Sequence, residues 1–144
     1  MIRPETRARA RALQLLYAWE TQRTAADGEA RRADIVGTGV AQLVRPGPKV
    51  MDHAEALAAE VIADVVAIDR IASVAADNWR FDRIAPVERN IIRLAVHELR
   101  AETVPPKVAI NEAVQLAHWF GGGRAPGFVN GVLDRVGRSM GRLG

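Results

Sequence analysis

Alanine and leucine recur at helical spacing through most of this chain, and β-branched residues almost never alternate with polar ones. Apolar residues at i, i+3 and i+4 line one stripe of a helix, whereas a half-buried strand needs a period of two. The pattern therefore predicts an all-helical protein of about seven segments and leaves no material for a sheet. The first segment runs from about Glu5 to Thr21. A weaker one covers about Glu29 to Leu43, with Gly37 and Gly39 inside it. The prolines and glycine of RPGPK mark a loop. A long apolar-periodic stretch, Met51 to Ala76, breaks near Ile68–Asp69, and a short helical turn, Asp77 to Phe81, follows. Pro86 suits the first position of the next helix, with Glu88 near its positive end. That helix ends before VPPK. The last two segments run from about Lys107 to Phe120 and from Pro126 to Met140.

Between those last two segments lies GGGRAPG. A phosphate-binding loop needs GxxxxGK[ST] after a strand, so that amides, a lysine and a hydroxyl converge on the phosphates. Here no lysine or hydroxyl follows and a helix precedes, so the run predicts a hinge. Gly121 is expected to end one helix in the left-handed conformation, and Pro126 to start the next. Arg124 is placed in the hinge, where it can touch an anion.

The residue inventory argues against catalysis. Cysteine is absent, the only serines are Ser73 and Ser139, and the three histidines His53, His97 and His118 are scattered. No nucleophile with its base, no HExxH and no GxSxG is present. No catalytic residue, metal site or cofactor is expected. The chain has no apolar run long enough to span a bilayer and no secretory pattern at its start, so a cytoplasmic protein with no membrane partner is expected. A single domain over residues 1–144 suits its length.

Charge points to a partner. Residues 1–11 carry Arg3, Arg7, Arg9 and Arg11 against Glu5 alone, and the stretch from residue 124 carries Arg124, Arg135, Arg138 and Arg142 against Asp134. Residues 52–69 carry five acids and no Lys or Arg. Basic ends flanking an acidic middle suggest an anionic partner at one face. In the first helix, projection places Arg7, Arg11 and Gln14 on one polar stripe. Ala12, Leu13 and Leu16 face the core, and Tyr17 lies at the boundary. On the helix from Pro86, Val87, Ile91, Leu94, Ala95 and Leu99 form the apolar face, and Arg89, Arg93, His97 and Arg100 the opposite one. Glu98 falls inside the apolar arc and reads as a structural pin, with Asn111 or Asn130 as candidate partners. In the last helix Val129, Val132, Leu133 and Val136 are core. Phe128 sits at the edge in line with Arg135 and Arg142, where an aromatic beside arginines can stack on an unpaired base. Trp119 projects to a polar side, the placement of a protein contact.

Four segments carry a resemblance: RARARALQLLYAWE, DNWRFDRIAPVERNIIRLAVHEL, VPPKVAINEAVQLA and FVNGVLDRV. They resemble the NusB family of transcription antitermination factors over about residues 5–20 and 77–137. The resemblance implies two three-helix bundles. It also implies binding to NusE, a small-subunit ribosomal protein, and joint recognition of single-stranded boxA RNA. The RNA polymerase antitermination complex so formed supports ribosomal RNA transcription. Family RNA contacts map onto Arg7 and Arg9, and Tyr17, Glu88 and Phe128 fall on positions facing RNA or NusE. The candidate RNA-binding set is thus Arg3, Arg7, Arg9, Arg11, Tyr17, Arg124, Phe128 and Arg135, with Glu88 and Trp119 as partner contacts. Two departures, Glu5–Thr6 at places often basic in the family and Gly127 where relatives can carry a basic residue, predict weaker RNA binding. The alternatives are a protein-interaction adaptor, a homodimer, or an accessory domain like that of RsmB-type RNA methyltransferases.

Overall fold

The computed structural model describes residues 2–24, 47–77 and 79–143, so the segment expected over 29–43 lies outside the described residues. Among them, every regular element is helical: six α-helices and one 3-10 turn. None of these helices is long and apolar enough to cross a membrane. The chain divides into two compact units, Met1–Ile62 and Ala63–Gly144.

In the first unit, α1 (Pro4–Thr24) buries Ala12, Leu13 and Leu16 as the periodicity requires. It also buries Thr6, Arg9, Gln14 and Glu20. Gln14 is therefore not part of an exposed polar stripe: it accepts a hydrogen bond from the Arg11 guanidinium one turn earlier. Helix α2 (Pro48–Ala63) opens on the last proline of RPGPK, which a helix tolerates in its first turn because no donor is needed there. Its buried residues, Ala54, Leu57, Ala58 and Val61, follow the i, i+3, i+4, i+7 rule.

The second unit contains α3 (Val65–Ala76), the 3-10 turn (Phe81–Arg83), α4 (Pro86–Ala101), α5 (Pro106–Phe120) and α6 (Ala125–Ser139). Helix α3 starts after Asp64, so the interruption comes about one turn before the expected Ile68–Asp69. Both of those residues are needed inside the helix, Ile68 in the core and Asp69 against Arg93. The turn expected over Asp77–Phe81 falls at Phe81–Arg83, because Asp77 leaves the helix with a positive φ of 43° and the chain is extended again at Arg80.

Helix α4 is the centre of this unit, packed by α3, α5 and α6. Every residue from Asn90 to Leu99 is buried. The expected polar face is therefore only half correct. Arg100 is exposed and pairs with Asp64 at 3.7 Å, but Arg93 and His97 are 5% and 8% exposed. Arg93 survives burial because its guanidinium is paired. It donates to both Asp69 carboxylate oxygens at 2.7 and 2.8 Å, and to Asn90 Oδ1 at 2.9 Å. Asn90 in turn donates to the Pro86 carbonyl at 2.9 Å, and the Arg93 cation lies 5.6 Å over the Phe81 ring. Glu98 is buried as the apolar arc predicted.

Two arginines near the chain's end close helix ends whose last carbonyls have no intrahelical donor. Arg142 donates to the Leu99 and Val104 carbonyls, the first inside the last turn of α4 and the second just beyond it. Arg135 donates to the Ala75 carbonyl of α3 at 3.1 Å.

Candidate nucleic-acid interface

The hinge of GGGRAPG positions the site in the second unit. Gly121 ends α5 in extended backbone, φ −94° and ψ 177°, rather than in the left-handed conformation expected of it. Glycine is required there for space. A Cβ would stand 2.6 Å from the Ala125 Cβ, 2.9 Å from the Ala117 carbonyl oxygen and 3.2 Å from Glu88 Oε1. The close approach brings the start of α6 against the end of α5 and seats the Glu88 carboxylate over the hinge. Pro126 then occupies the first turn of α6, as expected.

A groove of about 450 Å³ opens at this junction, lined by Trp79, Arg83, Ile84, Ala85, Glu88, Arg124, Ala125 and Phe128. Three residues singled out from the sequence, Glu88, Arg124 and Phe128, meet here. Phe128 is half-buried, and its neighbour ring is Trp79: the two centroids are 5.5 Å apart and the planes cross at 71°. Such edge-to-face pairs are favourable beyond the area they bury. Arg83 and Arg124 are both exposed. Burial pushes the Glu88 carboxyl above its ordinary value, and a backbone hydrogen bond at Glu88 offsets this in part.

The other candidates are placed differently. Arg135 does not line the groove, being engaged with Ala75. Trp119 is 40% exposed and packs edge-to-face on Phe120, 6.2 Å between centroids. Arg3, just before α1, and Arg7 within it are exposed, Arg11 and Tyr17 are half-buried, and Arg9 is 6% exposed. Asn111 and Asn130, considered as partners for Glu98, are exposed and border a second groove of about 380 Å³ with Lys107 and Arg138. Trp79 and Arg83 were not singled out from the sequence. Their signal is weak: they sit in a turn-rich stretch between helices, where no periodicity assigns a face.

Residues 6–138 match the NusB family. The chain belongs to the NusB family. Among similar proteins, the transcription antitermination protein NusB of Anaeromyxobacter dehalogenans (strain 2CP-1) is 43% identical over 131 residues, which is 91% of this chain and 88% of that one. The NusB of Desulfotalea psychrophila is 42% identical over 132 residues, 90% and 92% of the two chains. Among solved structures, T. maritima NusB superposes with a TM-score of 0.74 at 27% identity, covering 96% of this chain and 93% of that one. A crystal structure of antitermination factors NusB and NusE in complex with dsRNA also matches, with a TM-score of 0.74 at 25% identity, covering 96% and 99%. The family match spans both α1 and the α5–hinge–α6 region, so the groove lies on NusB-family sequence throughout.

Proposed function

We propose that this NusB-family chain is a cytoplasmic transcription antitermination factor that binds single-stranded boxA RNA together with NusE. It takes its place in the RNA polymerase antitermination complex that supports ribosomal RNA transcription. The observation that carries this reading is the family match along residues 6–138, with relatives named transcription antitermination protein NusB aligned over about nine-tenths of the chain. The work of the chain is recognition rather than catalysis, and residues 1–144 act as one NusB-like domain. Arg3, just before α1, and Arg7, exposed on it, contact phosphates, with Arg11 and Tyr17 further along the helix. Arg9 supports α1 from its buried position. In the second unit Phe128 stacks on a base and Arg124 holds the backbone, a combination suited to single strands. Arg135 supports this surface by capping α3. Glu88 and the exposed Trp119 contact NusE.

The test is equilibrium binding of a fluorescent boxA oligonucleotide, with and without NusE. Saturable binding that NusE tightens is the expected result. No binding in either condition, by protein with a native melting transition, would falsify the reading.

A further inference from the structure

Trp79 is 62% exposed. Its turn is anchored by other residues. Asp77 ends α3, the Trp79 amide donates to the Ala76 carbonyl at 2.9 Å, and Phe81 and Ile84 are buried on the other side. The Arg89 guanidinium reaches back to the carbonyls of Asp82 and Ile84 and fixes the stretch of chain between them. The indole is thus held out on a pinned turn, touching the one aromatic of α6 at 71°.

That angle limits what the pair can accept. Bases in a continuous stack lie parallel, so a single stack cannot lie flat on both rings. One base can lie on each ring only if the strand turns between two neighbouring nucleotides. Arg83 and Arg124 on the same groove supply positive charge for the phosphate at the turn. Charge, apolar walls and two rings together favour a nucleotide over a peptide side chain.

We propose that Trp79 and Phe128 form a two-ring platform that takes two adjacent unpaired bases, one on each ring, and splays them apart. This deepens the RNA-binding reading and rests on it. Trp79 is the second stacking residue and Phe128 the first.

The experiment measures binding of a boxA oligonucleotide carrying 2-aminopurine at successive positions, to the wild type and to Trp79→Ala, Trp79→Phe and Phe128→Ala. Trp79→Ala is expected to weaken binding about 5- to 150-fold, the range for loss of one base-stacking aromatic. Its salt slope stays that of the wild type, because every phosphate partner remains in place. Trp79→Phe retains most of the affinity. Two adjacent reporter positions are quenched on binding, one losing its quench in Trp79→Ala and the neighbour in Phe128→Ala. RNA-induced quenching of tryptophan fluorescence falls in Trp79→Phe. Wild-type affinity in a natively melting Trp79→Ala overturns the platform alone. So does quenching confined to one reporter position, or a loss restricted to NusE affinity, which would assign the groove to a protein. If the wild type binds no RNA, the functional reading fails and the platform with it.

Discussion

Glu88 and Gly121 show how a single atom sets the site. The Glu88 carboxylate oxygen lies where a Gly121 Cβ would come within 3.2 Å, so hinge and carboxylate occupy one crowded corner. Burial raises the folded-state pKa of Glu88 above its ordinary 4.5. The folded chain then holds this proton more tightly than the unfolded chain does. The associated stability is fully present below the ordinary value and is lost as pH rises through the raised one. Glu88→Gln removes that titration. Wild type minus variant melting temperature is expected to be flat below pH 4.5 and to fall as pH rises above it. A difference that stays constant as pH rises above 4.5 counts against a raised Glu88 pKa. Arg9 makes the complementary point. Its charge suggests a phosphate contact, yet 6% exposure makes it part of α1's packing.

At the scale of elements, α4 decides the second unit. A helix covered by neighbours on several sides must bury whatever polar residues it carries, and each then needs a partner. The chain of bonds from Pro86 through Asn90 and Arg93 to Asp69 meets that need and ties α3 to α4. Breaking a buried ion pair from one side leaves the other charge uncompensated, at about 3–5 kcal/mol. The Asp69 side chain is 30% exposed, so water screens part of the orphaned charge. Asp69→Ala is therefore expected near the lower end, about 3 kcal/mol by urea unfolding. Replacing Arg93 as well, with Met, should recover part of that loss. An Asp69→Ala midpoint equal to wild type would show that the pair adds nothing.

Across the whole molecule, charge is unevenly distributed although the formal net charge is only +3. Basic residues gather toward both ends of the sequence and acids in its middle, which gives each end its own attraction for an anionic strand. RNA binding should then weaken steeply with salt. Arg3, which precedes α1, and Arg7, in its first turn, are both exposed. The double Arg3→Ala/Arg7→Ala variant is expected to lower the slope of log affinity against log salt by about 0.7 for each phosphate left without its arginine. Unchanged slope and affinity in the folded variant would remove α1 from the phosphate surface.

The sequence alone determined the helical class, most helix ends and the identity of the family. Those follow from local physics: apolar spacing of 3.6, prolines that open helices, and motifs contiguous along the chain. Pro86 and Pro126 stood where expected, and Val129, Val132, Leu133 and Val136 faced inward as the period required. Phe128, Glu88 and Arg124 were legible as candidates, but their meeting in one groove was not. Only tertiary packing decided that. The same holds for which polar residues are buried, since projection of α4 gives a face but not how many neighbours cover it. Arg93 and His97 could not be told from Arg100 without α3, α5 and α6 in place. The sequence marks Gly121 as a hinge, but its need for glycine is steric: the clashes with Ala125 and Glu88 exist only once α6 and α4 pack against it. Trp79 carries no such signal: a ring in a turn has no periodicity, and its role depends on Phe128, 49 residues away in sequence, lying 5.5 Å from it.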